Sequence, residues 1–364
     1  MPNKTILSLN NVVKSFGDFT AVKGISLEIK EGEFFTIVGP SGSGKSTLIR
    51  LLVGMEELSS GEIWLRDERI DQKPANLRPT CMVFQSLALF PHMTVGQNIE
   101  FPLKLKNVLP DERKKRAFDL LDLLRLPQNY YSKRISQCSG GEQQRVALAR
   151  ALAFDPEILF FDEPLSSLDY RLRKTLEKEL KQLHARTGKT FVYITHSLEE
   201  AMVMSDRIAI MKSGQFEQIA NADEIYEKPK SSFVAEFMGE VNLFEINGNQ
   251  SNNLIGRGLE INLSKTKITK ISLKSNQKAT LMVRPEYVRF LEKSSKADFI
   301  VRGILMAEFA LGSRTHYEVE TSNGQIVTVE KLREDRFKGK SGASVTLGFD
   351  LENVHTIKVS NGKS

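Results

Sequence analysis

A glycine-rich segment between an apolar run and a helical pattern constrains this chain more than any other feature. It consists of Gly39, Pro40, Ser41, Gly42, Ser43, Gly44, Lys45, Ser46 and Thr47. Glycines let backbone N–H groups approach an anion closely, and the start of a helix adds a favourable field for negative charge. An apolar strand, this spacing and a helix together predict a P-loop that binds a nucleoside polyphosphate. Lys45 would neutralise its β- and γ-phosphates, and the Ser46 hydroxyl would be a ligand of Mg²⁺.

Two adjacent carboxylates, Asp162 and Glu163, follow the apolar run at residues 158–161. Ligands of parallel α/β sheets bind at the carboxyl ends of the strands, so we expect both acids to face the nucleotide. Asp162 is the predicted holder of Mg²⁺. Glu163 is the predicted general base, which would polarise the water that attacks the γ-phosphate.

The length and composition limit the class of protein. A chain of 364 residues exceeds what one hydrophobic core usually serves, and 40% hydrophobic residues indicate a globular protein. The net charge is +6, and we interpret the basic run at 113–116 as a solvated helix face and not as a nucleic-acid site. The two cysteines favour a reducing compartment. We expect neither a signal peptide nor a membrane span, so that any pore would belong to another chain.

The pattern of predicted secondary structure changes near Gly239. Before it, apolar runs such as 157–161 and 190–194 alternate with helical patterns, which predicts a parallel sheet covered on both faces. A helical subdomain is expected at about 87–155. After it, short strand-like runs and turn signals at Asn247-Gly248 and Asn323-Gly324 predict a small all-β domain, a barrel or a sandwich. The predicted domains are therefore 1–239 and 240–364.

A second anion-binding pattern precedes the helical run at 146–152. It consists of Cys138, Ser139, Gly140, Gly141, Glu142, Gln143, Gln144 and Arg145. This pattern resembles the signature motif of the nucleotide-binding domains of ABC transporters. The resemblance implies an α/β P-loop NTPase cassette in which the serine and the two glycines grip the γ-phosphate of ATP on the opposite subunit. Cys138 stands where leucine is usual, and we expect a change of packing there, not a loss of function.

Four further positions match the family in order and spacing, and the resemblance covers roughly residues 6–239. Phe16 matches the aromatic residue that stacks on adenine. Gln85 matches the glutamine that touches Mg²⁺ and the attacking water and links to the membrane partner. Asp169, in Ser167-Leu168-Asp169, matches the loop that crosses the dimer interface, and His196 matches the histidine that contacts the γ-phosphate.

The segment 87–98 follows Gln85 directly and carries Phe90 and Pro91. In importers of this family the corresponding region forms a groove for a helix of the membrane subunit. An equally open alternative is that both residues only pack the helical subdomain.

The tail resembles the accessory, OB-like β-domain of importer ATPases of the maltose, polyamine and iron type. The residues that carry this resemblance are 282–286, 311–313 and 348–350, together with linker segments at 223–229 and 233–239. It implies an importer that uses ATP and Mg²⁺ at the cytoplasmic face of the inner membrane. The implied partners are a second cassette, permease subunits and, indirectly, a solute-binding protein. The segment 83–95 looks most like the spermidine/putrescine importers, with iron(III), sulfate, phosphonate and sugar importers as alternatives.

A different class, the ABC-type ATPases of DNA repair or translation, acts on nucleic acid or ribosomes without a membrane partner. Repair members carry long coiled coils between the P-loop and the signature, and this interval holds no sustained heptads. Translation members usually carry two cassettes, and this chain has one. A non-hydrolysing regulator is disfavoured because Glu163 and His196 are both present.

Overall fold

The structure is a computed structural model that describes residues 4–166, 168–248, 254–256, 258–263, 271, 273, 277–292 and 295–358. Ser167, which the sequence places in the interface loop, lies outside these residues. Contacts divide the chain into two compact units, Met1–Ala222 and Asp223–Ser364. The division precedes Gly239, so both predicted linker segments belong to the second unit, and the domain boundary at 239 stays a prediction.

In the part of the first unit that the structure describes, ten strands form two sheets. They are β1 (Thr5–Phe16), β2 (Phe19–Lys30), β3 (Phe34–Val38), β4 (Ser60–Leu65), β5 (Glu68–Arg69), β6 (Thr80–Val83), β7 (Ile158–Asp162), β8 (Thr190–Thr195), β9 (Arg207–Lys212) and β10 (Gln215–Ala220). The first sheet is antiparallel in the order β2-β1-β4-β5. The second has the order β10-β9-β3-β8-β7-β6, and all its strands are parallel except β10.

Every residue of β3 and β8 is buried, because this sheet is covered on both faces. Successive side chains point to opposite faces, so Phe35 and Ile37 enter one hydrophobic cluster and Phe34 enters the other. The predicted parallel sheet is confirmed. The carboxyl ends of β3, β6, β7 and β8 lie at one edge of the sheet, which is where the predicted site residues follow in the sequence.

The described residues of the first unit contain six α-helices. They are α1 (Lys45–Val53), α2 (Val95–Leu105), α3 (Pro110–Leu123), α4 (Gly140–Ala153), α5 (Tyr170–Thr187) and α6 (Leu198–Met204). Capping boxes begin two of them: Thr94 caps α2 and Ser139 caps α4. Helices α2, α3 and α4 lie between β6 and β7, in the segment for which the helical subdomain is predicted. None of the helices in the described residues is long and apolar enough to span a bilayer.

Most of the elements in the described residues of the second unit are strands. Its elements are α7 (Ala222–Glu227), where the unit begins, α8 (Ser232–Phe237), β11 (Asn242–Gly248), β12 (Leu254–Gly256), β13 (Glu260–Ile261), β14 (Lys278–Val283), β15 (Arg289–Phe290), β16 (Phe299–Leu311), β17 (Arg314–Thr321), β18 (Ile326–Leu332), β19 (Ser344–Phe349) and β20 (Val354–Lys358). They form one sheet in the order β12-β11-β14-β20 and another in the order β15-β19-β16-β17-β18, with β13 paired to β16.

Both sheets contribute to one core, in which Phe349 stacks at 5.5 Å on Phe244 and at 5.1 Å on Phe299. The predicted all-β domain is confirmed. The turn predicted at Asn247-Gly248 is wrong, because both residues pair within β11, Asn247 with Ile255 and Gly248 with Leu254.

Candidate active site

The glycine-rich loop connects β3 to α1, as the sequence predicts. Gly42 and Gly44 have φ angles of +77° and +104°, which side chains rarely allow. A Cβ atom at Gly44 would also lie 2.5 Å from the carbonyl oxygen of Ala21, and one at Gly39 would lie 2.1 Å from that of Met211. The loop can therefore take this path only with glycine at these positions.

Lys45 is buried at the first position of α1, and its Nζ donates to the carbonyl oxygens of Gly39 and Pro40 at 2.7 and 3.0 Å. Burial lowers the pKa of Lys45, and the nearby carboxyl groups of Glu163 and Asp162 act in the opposite direction. The amine is thus folded onto its own loop and close to the acidic pair.

The loop also contains a polar atom that has no partner. The hydroxyl of Ser43 is buried and makes no hydrogen bond to any described residue. Gly44 precedes α1 without a side-chain cap, so the first N–H groups of this helix remain available. An orphaned buried hydroxyl, uncapped N–H groups and a buried lysine suit a polyphosphate, whose oxygens accept hydrogen bonds from all three.

Asp162 ends β7 and is half-buried, and burial and the neighbouring Glu163 raise its pKa. No ion pair joins Asp162 to another side chain in the part of the chain that the structure describes. The charges of Arg50 and Lys45 act on this pKa in the opposite direction but do not outweigh burial and Glu163. A half-buried carboxyl group beside a second carboxyl group suits a divalent metal ion, and the exposed Ser46 hydroxyl lies in the loop beside Lys45. These oxygen donors fit Mg²⁺, which prefers oxygen ligands.

Glu163 and His196 meet at the sheet edge. A hydrogen bond of 3.1 Å joins His196 Nδ1, in the loop after β8, to Glu163 Oε2. Glu163 has a φ of +46°, and its N–H donates to the carbonyl of Ile194 at 2.9 Å. The structure thus brings together the predicted general base and the predicted γ-phosphate contact.

Gln85 reaches the same turn through Ser166. Its Nε2 donates to Ser166 Oγ at 3.0 Å, and that hydroxyl donates to the carbonyl of Glu163 at 2.9 Å. Sequence reasoning did not single out Ser166, and the only available signal was its place between the acidic pair and Asp169.

The signature segment lies at the start of α4. Ser139 Oγ accepts from the N–H of Glu142, whose carboxyl group accepts from the N–H of Ser139 at 2.8 Å. That hydrogen bond and the Tyr130 hydroxyl lower the pKa of Glu142 to about 2. No hydrogen bond among the described residues connects Ser139, Gly140 or Gly141 with the glycine-rich loop. Within one chain, the two anion-binding patterns therefore remain separate.

The other predicted positions make local contacts. The Phe16 ring is exposed, with Lys14 Nζ at 4.8 Å from its centroid. Asp169 caps α5, because its side chain accepts from the N–H groups of Arg171 and Leu172 at 3.1 Å. Cys138 is buried in the core of the helical region, as expected for a small hydrophobe.

An apolar groove of about 380 Å³ opens beside β6. Phe90 lines it and Pro91 does not. The other lining residues are Ala75, Asn76, Thr80, Cys81, Met82, Val83, Phe84, Leu87, Ala88, Phe101, Pro102, Leu105, Ala147, Arg150, Ala151 and Phe154. Phe84 and Leu87 flank Gln85, so the groove and the site share one segment of chain.

Comparisons with known proteins agree with this geometry. A family model described as ABC transporter matches residues 22–166, and one described as TOBE domain matches residues 281–357. The spermidine/putrescine import ATP-binding protein PotA of Thermotoga maritima is 41% identical over 330 residues, which are 89% of each chain. The chain belongs to the ABC transporter ATP-binding proteins. PotA of Roseobacter denitrificans is 51% identical over 240 residues, 66% of each chain.

Solved structures show the same cassette. The ATP-binding cassette MJ0796, solved as a dimer, is 35% identical, has a TM-score of 0.53 and covers 60% of this chain and 99% of its own. The cassette cbiO1 of Clostridium perfringens is 28% identical, has a TM-score of 0.56 and covers 61% of this chain and 90% of its own. The cassette fold predicted from the sequence is confirmed.

Proposed function

We propose that this chain hydrolyses ATP to drive an ABC importer, with the polyamines spermidine and putrescine as the transported solutes. The observation that carries the ATPase proposal is the convergence at one sheet edge of the glycine-rich loop, Asp162, Glu163 and His196. The polyamine proposal is supported by the names of the two PotA relatives. Iron(III), sulfate, phosphonate and sugars remain the alternative solutes.

The residues divide the chemistry among them. Lys45 leaves its loop carbonyls to neutralise the β- and γ-phosphates, and Ser43 donates its free hydroxyl to a phosphate oxygen. Glu163 takes a proton from the attacking water, whose oxygen bonds to the γ-phosphorus while the bond to ADP breaks. His196, held by Glu163, contacts the γ-phosphate. Phe16 stacks on the adenine ring.

Mg²⁺ would be held by Ser46, Asp162 and Gln85, and it would supply positive charge that stabilises the departing phosphate oxygens. Its binding also explains why an acidic pair can occupy the half-buried end of β7. The amide of Gln85 would complete the Mg²⁺ ligands and would orient the water that attacks the γ-phosphate.

A second cassette completes the site. No hydrogen bond among the described residues joins Ser139, Gly140 or Gly141 to the glycine-rich loop of their own chain, and we propose that these signature residues bind the ATP held by a partner copy. Asp169 lies at this interface. The dimeric structure of MJ0796 supports the pairing. Because one chain carries both halves, a homodimer is sufficient.

The remaining partners are permease subunits and, through them, a solute-binding protein, at the cytoplasmic face of the inner membrane. The groove beside β6 is apolar and shares its chain segment with Gln85. We propose that a helix of the permease occupies it, so that closure of the cassette pair moves the permease between its access states.

The test is to co-purify the chain with its permease and binding protein and to titrate the binding protein with candidate solutes. Binding of spermidine or putrescine, together with ATP-dependent uptake into vesicles, is the expected result. If the binding protein binds iron(III), sulfate, a phosphonate or a sugar instead, that compound replaces the polyamines as the proposed transported solute. Purification with nucleic acid and without a permease would overturn the transport function.

A further inference from the structure

A closed polar cluster lies directly behind His196. The carboxyl group of Glu200, on α6, is buried with 3% of the residue exposed. It accepts from the Tyr193 hydroxyl at 2.8 Å and from Thr195 Oγ1 at 2.7 Å. Burial, followed by the Glu200 carboxyl group, raises the pKa of Tyr193 well above its usual range, so Tyr193 keeps the proton that it donates.

This cluster fixes both neighbours of His196. Thr195 Oγ1 donates to Glu200 and accepts from the N–H of Ser197 at 2.9 Å. Ser197 Oγ in turn accepts from the N–H of Glu200 at 3.3 Å. His196 itself is exposed, and its side chain forms a hydrogen bond with Glu163. The position of its imidazole ring therefore depends on the residues on either side of it.

Arg173 connects this cluster to another loop. Its Nη2 donates to the carbonyl of Leu168 at 2.9 Å, next to Asp169. Its Nε is buried without a hydrogen bond and lies 4.0 Å from Glu200 Oε1. A buried donor without a partner is unfavourable, so a small approach of these two groups would be favourable.

We infer that Thr195 and Glu200 are positioning residues that hold His196 against the γ-phosphate, and that Arg173 transmits the position of the Leu168 loop to them. This inference rests on the proposed function, in which Asp169 lies at the interface of two cassettes. When the cassettes pair, Leu168 moves and Arg173 moves with it, because Arg173 is bonded to the Leu168 carbonyl. The Glu200 cluster then holds the imidazole ring of His196 in the position that hydrolysis requires.

The Thr195 hydroxyl gives the sharpest test, because two substitutions separate shape from hydrogen bonding. In the full chain, Thr195→Val keeps the shape and removes the hydroxyl, and we expect kcat for ATP hydrolysis to fall by about 10- to 100-fold. Thr195→Ser keeps the hydroxyl and should stay within about threefold of wild type. The dissociation constant for ATP should be unchanged in both. A purely structural role would favour valine over serine.

Adjacent glutamates provide the matched control. Glu199 is exposed and pairs with Lys174 on the same α5–α6 seam, without a link to Thr195. Glu200→Gln should lower kcat, whereas Glu199→Gln should leave it unchanged. Equal effects of the two substitutions, or full activity of Thr195→Val, would overturn the inference.

Arg173→Met tests the connection to the Leu168 loop. As a single substitution, Arg173→Met should lower kcat. In the double variant with Thr195→Val, the loss of kcat should be smaller than the two single losses combined, because both substitutions break one chain of contacts. Additive losses, or no loss from Arg173→Met, would remove Arg173 from the inference. Glu163→Gln is measured in parallel: if it hydrolyses ATP at the wild-type rate, the proposed function fails, and otherwise only the positioning roles are at stake.

Discussion

At the scale of single residues, Glu163 shows how the fold fixes a reactive group. Its backbone has a φ of +46°, a conformation that costs about 1–3 kcal/mol for residues with a side chain. The strain is held from both sides, because the N–H of Glu163 donates to Ile194 and its carbonyl accepts from the N–H and the hydroxyl of Ser166. The carboxyl group therefore leaves the strand in one defined direction, toward His196.

Replacing this carboxyl group by an amide should stop turnover without removing nucleotide binding. In Glu163→Gln the shape is kept but no proton can be accepted, and general-base catalysis contributes about 10²- to 10⁴-fold. We expect kcat to fall within that range and the dissociation constant for ATP to stay within about threefold of wild type. Steady-state ATPase assays and a nucleotide titration measure both. Wild-type turnover would show that another group takes the proton.

Two glycines of the loop separate backbone strain from steric clash. Gly42→Ala meets nothing within 4 Å, so it should cost only the left-handed conformation, about 1–2 kcal/mol. Gly44→Ala adds a contact of 2.5 Å with the carbonyl of Ala21 and should destabilise the first unit more and weaken ATP binding. Urea unfolding and ATP titration of both variants test this. Equal losses of stability would mean that the backbone near Gly44 shifts and relieves the clash with the Ala21 carbonyl.

The sequence revealed the residues whose chemistry is tied to a fixed spacing. Lys45 and Asp162 could be identified because each follows an apolar strand whose carboxyl end had to reach one edge, and His196 was identified from the resemblance to the family. Ser166 and Glu200 could not, since a serine in a turn and a glutamate in a helix are ordinary. The significance of Ser166 comes from a contact between distant segments, across 81 positions to Gln85. That of Glu200 comes from side-chain hydrogen bonds with Tyr193 and Thr195, which a helical pattern does not reveal.

At the scale of elements, uninterrupted apolar runs predicted β3, β7 and β8 because a doubly covered sheet buries every position. The long strands β1 and β2 gave no such signal. Their pairing shifts register at several points, which interrupts the alternation of buried and exposed residues that identifies an antiparallel strand. The turn predicted at Asn247-Gly248 was wrong for a related reason. The Asn-Gly dipeptide favours a turn, but β11 pairs with a strand on each side, and this pairing keeps the two residues extended.

The segment that follows β6 depends on one arginine of α4. Leu87 and Ala88 both have positive φ angles, and Arg150 donates to their two carbonyls at 2.8 and 2.7 Å. Burial lowers the pKa of Arg150, which lines the groove. The groove and the placement of Gln85 should therefore both depend on this side chain.

Arg150→Met should release this segment while keeping most of the apolar contact. We expect the free energy of unfolding to fall by about 1–3 kcal/mol, because two carbonyls lose their donor. Amide exchange at residues 85–90 should become faster. Arg145→Met is the control on the same helix, since it removes a partly exposed pair with Glu179, worth about 0–1 kcal/mol. If both variants unfold alike, Arg150 does not hold the segment.

At the scale of the whole molecule, length alone predicted more than one domain. The change from helical patterns to strand-like runs predicted the domain boundary near Gly239. Contacts divide the chain before Asp223, and the domain boundary at 239 stays a prediction. One residue that joins α7 and α8 to the second unit is Arg284, which is 2% exposed and donates to the carbonyls of Tyr226 and Ala235 at 2.9 and 3.0 Å, and also to Gly239 and Glu240. The helical pattern along the chain could not reveal that these helices contact Arg284, a residue just after β14 and more than 40 positions away from them.

Removing this guanidinium should loosen α7 and α8 from the second unit. Arg284→Met leaves several buried carbonyls without a donor, each at about 1–3 kcal/mol, so we expect the second unit to lose about 3 kcal/mol or more. Thermal unfolding and amide exchange at residues 226–240 measure the loss. Arg302→Met is the matched control, because Arg302 pairs with Glu260 at an exposed site and should cost no more than about 1 kcal/mol. Unchanged protection of residues 226–240 in Arg284→Met would show that other contacts attach these helices to the second unit.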